Sequence, residues 1–347
     1  MIVGKWRFQP RAREHELAAG SGDAPAVGSG HAPAAGSGDA PAAGSGNRRA
    51  PWTAVPPSAL VLTGIFSVQF GAGLAARLFT QIAPAAVTGL RLWTAAAVMA
   101  VAGAGPLRTA LRRLMHRRAW RDAAVVAGFG LTLAVMNFSI YQSFARIPLG
   151  ISVTVEFLGP LGVAVASSRR LLDVLWVGLA GTGVALLARG GTPVAGGHGQ
   201  VTIGLAFALL AGLSWTAYIL LSRATGQRFP GSTGLTIASL VAAVVITPVG
   251  VAAGGTALLQ PGIVLTGLGI GLLSSIIPYS LEMEALRRIP PRVFGIWMSL
   301  EPAVAALVGL VLLGQSLAVR EWLAMGCVMV ACAGASRGAR EPQVPEA

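Results

Sequence analysis

Charge, histidine and cysteine are the scarce ingredients of this 347-residue sequence. Charged residues make up 11% of it against 54% hydrophobic, too few to cover a soluble protein with polar surface. The chain therefore reads as a membrane protein. Its four histidines, His15, His31, His116 and His198, fall in tails or loops. No metal-ligand cluster, and no nucleophile with a histidine base, can be assembled from them inside the apolar segments. The two cysteines, Cys327 and Cys332, stand five residues apart in the last apolar segment, on different helix faces, so neither a disulfide nor a metal site is implied. An intramembrane enzyme lacks a visible nucleophile and base pair, and neither cofactor nor metal is expected. The first 20 residues also lack the apolar run of roughly 7 to 15 residues that a cleavable signal peptide requires, which keeps the N-terminus in the cytoplasm.

What the chain has in abundance is apolar length. A helix needs about 20 apolar residues to cross the hydrocarbon core, and ten such spans are expected. They lie near 58–76, 84–104, 122–144, 148–167, 171–188, 201–222, 232–252, 262–283, 292–313 and 318–336. Ahead of them, residues 20–46 repeat GSGDAPAV, GSGHAPAA, GSGDAPAA, GSG, with almost nothing apolar to bury, and read as a disordered tail. An even number of spans puts both termini on one side. With the N-terminus inside, inner segments carry 21 basic residues against four in outer loops (Arg77, Arg146, Arg189 and Arg320). That asymmetry places both termini in the cytoplasm. The net charge of +13 is mostly this topology signal. Its basic residues are spread over separate loops, so no nucleic-acid partner is expected. The stretch PLRTALRRLMHRRAW fixes orientation, with a basic amphipathic helix on anionic lipid as its other reading.

The halves resemble each other. At an offset of 142, Arg146-Ile147-Pro148 falls on Arg288-Ile289-Pro290 and Pro160 falls on Pro302. Trp176 and Trp322 open the fifth and tenth spans alike. Since each half has an odd number of spans, the second enters from the opposite face and the two form an inverted repeat suited to alternating access. The expected fold class is thus an all-α integral membrane protein of about ten transmembrane helices in two inverted five-helix repeats. Its divisions are a tail (1–57), a first repeat (58–188), a linker (189–200), a second repeat (201–336) and a C-terminal tail (337–347).

Four ionisable groups sit within or near the spans: Arg91, Glu156, Glu282 and Glu301. A carboxylate at the bilayer centre costs about 2.5 to 3.5 kcal/mol even on lenient scales, so it faces a partner or a water-filled cavity. Glu156 and Glu301 each lie about ten residues into their spans, roughly 13 to 15 Å deep, near the midplane. Pro160 and Pro302 loosen the backbone beside them. Two readings stand at this point. Either Arg91 pairs with a glutamate to hold helices together, or the glutamates exchange a proton or bind an ammonium group while Arg91 meets a carboxylate. Glu282 follows Pro278 and Tyr279, in a place suited to a gate, whereas Glu284 reads as a solvated end-charge. Gln69, Asn137, Tyr141, Gln142, Trp215, Tyr218 and Tyr279 are further polar or aromatic candidates in spans, each alone as compatible with helix packing as with ligand contact.

The stretch YQSFARIPLGISVTVEFLGPLGVAVASSRR (141–170) resembles the threonine/homoserine exporters of the EamA branch of the drug/metabolite transporter superfamily. SVQFGAGLAARLF (67–79), TGLRL (88–92), SWTAYIL (214–220), IPYSLEMEALRRIP (277–290) and MSLEPAVAA (298–306) follow the same pattern in order, so the resemblance spans about residues 58–336. It implies a ten-helix bacterial cytoplasmic (inner) membrane carrier exporting small amino acids in exchange for protons. Its partners would be an amino acid, protons and the lipid bilayer, with a homodimer as a candidate assembly. Carried over by position, it implies substrate contacts from Gln69, Arg91, Asn137, Glu156, Trp215, Tyr218, Tyr279 and Glu301. Glu156 and Glu301 would couple protons, and Pro160, Pro278, Glu282 and Pro302 would form gates. An exporter of another metabolite or drug, or a non-transporting scaffold or sensor, stands as the alternative.

Overall fold

A computed structural model describes residues 55–114, 119–166, 171–188 and 197–338. The repetitive N-terminal tail, Arg169 and Arg170, most of the 189–200 linker and most of the C-terminal tail lie outside the described residues. The rest is helical, and nine helical stretches are long and apolar enough to cross a membrane. Their order agrees with the expected spans. The fifth expected span is helix α7 (Leu171–Ala188), with an apolar stretch at Val174–Leu187. Large apolar side chains such as Val174, Val244, Leu265 and Val311 point outward, where a bilayer would cover them.

The first span is α1 (Pro57–Leu78) and the second α2 (Pro84–Ala102). Each opens with proline in its first turn, where the missing N–H costs no helical bond. The basic stretch after them is a short helix, α3 (Ala104–Leu114). Its apolar side, Leu107 and Ala110, packs with Phe129, Phe229 and Ile237 while Arg108 and Arg112 face outward. Asp122 then gathers Arg113 at 2.9 Å and Arg228 at 3.3 Å, tying α3 to α4 (Trp120–Phe144) and to the turn beyond α8 (Gly197–Gly226).

The fourth span is broken. Helix α5 (Leu149–Glu156) ends at Phe157 and α6 (Leu158–Ala166) resumes in the same direction of travel. Pro160 has no N–H for the Glu156 carbonyl four residues back. The ninth span breaks in the same way, between α12 (Pro291–Met298) and α13 (Glu301–Leu313), and Pro302 leaves Met298 O without its helical donor. At an offset of 142 the two short helices begin and end on matching residues. Their N-caps match too, Pro148 at φ −53°, ψ 144° and Pro290 at φ −58°, ψ 145°. So do their C-caps, Phe157 at −63°, −12° and Ser299 at −64°, −11°. Even the preceding arginines act alike: Arg146 donates to Gln142 O at 2.6 Å, and Arg288 to the Glu284 carboxylate. The eighth span is interrupted differently, by a π-helical turn, Leu272–Ile276, between α10 (Pro261–Gly271) and α11 (Ile277–Leu286).

Packing interleaves the first five spans with the last five. Helix α2 lies on α9 (Thr233–Gly254), α5 on α13, and α7 on α14 (Val319–Gly338). The third span, α4, packs on the sixth, α8, just as the eighth packs on the first. Gln315, just past the left-handed Gly314 that ends α13 (φ 66°), accepts the Leu149 N–H at 3.0 Å and so caps α5. The tightest approach is at the break in the fourth span. A Cβ on Gly212 of α8 would meet Glu156 O at 2.7 Å, and one on Gly159 would meet Gly212 O at 2.0 Å. Gly212→Leu is therefore expected to cost about 1 to 3 kcal/mol through overpacking against backbone. Thermal unfolding in detergent checks it, with Gly128→Ala, which faces open space, leaving the midpoint unchanged or raised.

Candidate functional site

The break in the fourth span, the break in the ninth and the π-helical turn of the eighth surround a cluster of polar side chains. Arg91 from α2 enters it. Its Nη2 donates to Ser274 O at 2.9 Å, its Nε to Ser275 Oγ at 3.4 Å, and its Nη1 to Tyr141 OH at 3.5 Å. Ser274 O is available because Pro278, four residues on, cannot donate to it. The guanidinium also lies over the Tyr141 ring, 5.5 Å from its centroid. Tyr141 is fully buried and braced by Phe79 and Phe144 at 5.9 and 5.8 Å. Among the described residues no carboxylate lies within 4.0 Å of Arg91. A direct ion pair locking Arg91 to a glutamate is thus not formed, although Glu156 and Glu301 remain within electrostatic reach of it.

The three glutamates of the cluster differ in company. Glu156, the last residue of α5, is half-buried and has no hydrogen-bond partner among the described residues. Phe157 beside it meets Trp215 of α8 edge to face, 5.1 Å between centroids. Glu301, the first residue of α13, is buried and accepts from Gln69 Nε2 of α1 at 2.8 Å. Glu282 of α11 lies against Gly64 of α1, where an added Cβ would stand 3.7 Å from its Oε1. Glu156 and Glu282 both feel the charge of Glu301. Glu284, by contrast, pairs at the helix end with Arg287 at 3.3 Å and with Arg288.

The structure thus brings together Arg91, Glu156, Glu282, Glu301, Gln69, Trp215 and Tyr279, with Tyr279 in electrostatic reach of Arg91 and Glu282. Two other expected residues have further neighbours. Asn137 is buried and donates to Leu133 O of its own helix at 2.8 Å. Tyr218 is in electrostatic reach of Tyr279 and Glu282, and its ring also lies tilted against Phe129 at 5.1 Å, lining a small cavity of about 100 Å³ with Ser222, Thr225 and Phe229. Pro160, Pro278 and Pro302 all stand at backbone interruptions. Tyr141 is the residue whose importance the sequence understated, along with Ser274 and Ser275. A proline four residues beyond Ser274 was the available signal for a freed carbonyl, but nothing in the sequence aims Arg91 at it.

The EamA-like transporter family profile matches residues 202–337. The threonine/homoserine exporter RhtA of Escherichia coli (strain K12) is 38% identical over 285 residues, covering 82% of this chain and 92% of its own length. RhtA of Salmonella typhimurium (strain LT2) is 39% identical over 294 residues, covering 84% and 95%. An uncharacterized transporter of Bacillus subtilis, YwfM, is 27% identical over 144 residues, covering 42% of this chain and 49% of its own. One solved protein crystal structure superposes on 82% of this chain and all of its own at TM-score 0.51 and 19% identity, a likeness of fold.

Because the guanidinium rests on a ring face as well as on hydroxyl groups, Tyr141→Phe is expected to cost only about 0.5 to 1.5 kcal/mol. Tyr141→Ala opens a cavity at a fully buried position and is expected to cost about 3 to 5 kcal/mol. Unfolding midpoints of the two purified variants check the contrast.

Proposed function

We propose, from the premise that this chain belongs to the threonine/homoserine exporters of the EamA-like transporter family, that it is a proton-coupled exporter of small amino acids working by alternating access. The observation that carries this reading is the separation of two unlike charges in one buried site. Arg91 is held by neutral acceptors and Glu156 by none, so each is available to one end of a zwitterion. The amino acid's carboxylate would take the Arg91 fork, and its ammonium the Glu156 carboxylate. Trp215 and Phe157 would close over the side chain. A proton arriving on Glu156 from outside removes the charge that binds the ammonium and releases the cargo, with Glu301 as a second proton carrier. The name carried by the 38% and 39% identical relatives supports threonine and homoserine as cargo.

The movement this requires is supported by the interleaved packing. In our reading the first and second five spans are inverted repeats with both termini in the cytoplasm of a bacterial inner-membrane protein. The second repeat, 201–336, coincides with the family match at 202–337. The matched caps of α5 and α12 and the pairing of second with seventh, fourth with ninth and fifth with tenth spans suit a pseudo-two-fold axis in the membrane plane. Breaks beside Pro160 and Pro302, and the π-turn beside Pro278 and Glu282, are the proposed gate elements.

Proteoliposomes preloaded with labelled threonine or homoserine test the reading. Efflux is expected to accelerate under an imposed pH gradient, to lose that dependence in Glu156→Gln, and to fall at least tenfold in Arg91→Ala, equivalent to about 1.4 kcal/mol of lost binding. Gradient-dependent efflux that persists in both variants would overturn the site assignment. Absence of amino-acid efflux from folded wild-type protein would overturn the cargo.

A further inference from the structure

Gln69 and Glu301 are the most enclosed polar pair in the site, 3% and 7% exposed, and each keeps one oxygen without a donor. Gln69 Nε2 donates to Glu301 Oε1 at 2.8 Å, while Gln69 Oε1 and Glu301 Oε2 are buried with no hydrogen-bond partner. An amide oxygen and an ionised carboxylate are acceptors only. An ionised Glu301 therefore leaves two buried acceptors with no protein donor among the described residues. No cationic nitrogen lies within 4.0 Å of Glu301 among the described residues. The charged groups facing it are Arg91 from α2, Glu156 from α5 and Glu282 from α11, two of them of its own sign. A single proton on Glu301 Oε2, directed at Gln69 Oε1, would supply a donor to one orphan acceptor and a use for the other.

We infer that Gln69 is a positioning residue that holds Glu301 as a neutral carboxylic acid in a reciprocal acid–amide pair, a proton-bearing latch between the first and ninth spans. The partners come from opposite ends of the chain, 232 positions apart, so any motion separating α1 from α13 breaks the pair. Glu301 sits where α13 starts after the break, with Pro302 next to it. Once the latch opens to water, the positive end of α13 favours the anion and the proton leaves. The closed pair keeps Glu301 out of substrate contact and leaves Glu156 as the carboxylate that meets the cargo. Only the proton's use in transport rests on the exporter reading; the pair itself does not.

Infrared difference spectra of the full chain in lipid, wild type against Glu301→Gln, test this without any transport assay. A carboxylic-acid C=O band belonging to Glu301 is expected at neutral pH, shifting to higher frequency in Gln69→Leu. Thermal unfolding adds a second readout. Glu301→Gln, whose amide replaces the acid O–H as donor, is expected to match the wild type best at acid pH and to lack the wild type's fall as pH rises above the ordinary carboxylate range, where the unfolded chain ionises and the folded acid keeps its proton. Absence of a Glu301-dependent acid band would overturn the inference, as would a band abolished by sodium at fixed pH, which would make the pair a cation site. Missing amino-acid efflux with the band present sinks the cargo alone, and efflux without the band sinks the latch alone.

Discussion

Everything in this site depends on how one guanidinium is kept in an apolar bundle with no contacting carboxylate among the described residues. Arg91 is solvated by a backbone carbonyl, two hydroxyl groups and an aromatic face. The carbonyl is available because Pro278 cannot donate to it, and the π-helical turn turns that stretch of backbone toward α2. A contacting glutamate would have been the simpler way to neutralise the charge. It would also have consumed both groups, leaving a stable strut in place of a binding site. Neutral solvation keeps the positive charge in place while leaving its remaining field for something else.

The same economy of backbone recurs at the other interruptions. Pro160 and Pro302 open the fourth and ninth spans at equivalent points, and the short helices before them match in length, caps and preceding arginine. Irregular backbone at membrane depth is tolerated only where protein or water meets its polar groups. Here the close approach of Gly212 covers the Glu156 carbonyl. The glutamates are not themselves equivalent under the 142-residue offset. Glu156 ends the helix before the break, and Glu301 begins the helix after it. That asymmetry explains their different surroundings, one open to the site and one enclosed against Gln69.

Much of this was legible beforehand because membrane spans write themselves in composition. Apolar length located the spans, and rare charges within them marked Arg91, Glu156, Glu282 and Glu301. Polar residues without charge were less readable. Asn137 and Tyr141 lie four residues apart on α4 and look alike as candidates, yet Asn137 bonds its own helix while Tyr141 carries Arg91. Tyr218 lies tilted against Phe129 while staying in electrostatic reach of Tyr279 and Glu282. Which side of a uniformly apolar helix faces the interior is decided by packing between distant segments, and no periodicity in such a helix records it.

The most direct test of the central claim uses the ligand in place of the protein. Calorimetric binding of threonine to wild-type protein in lipid can be compared with that of its amide, which lacks the carboxylate, and of its deaminated analogue, which lacks the ammonium. Separate sites for the two charges predict that either loss weakens binding at least tenfold, and that Arg91→Ala removes only the preference for the carboxylate. Equal binding of all three compounds would contradict the account.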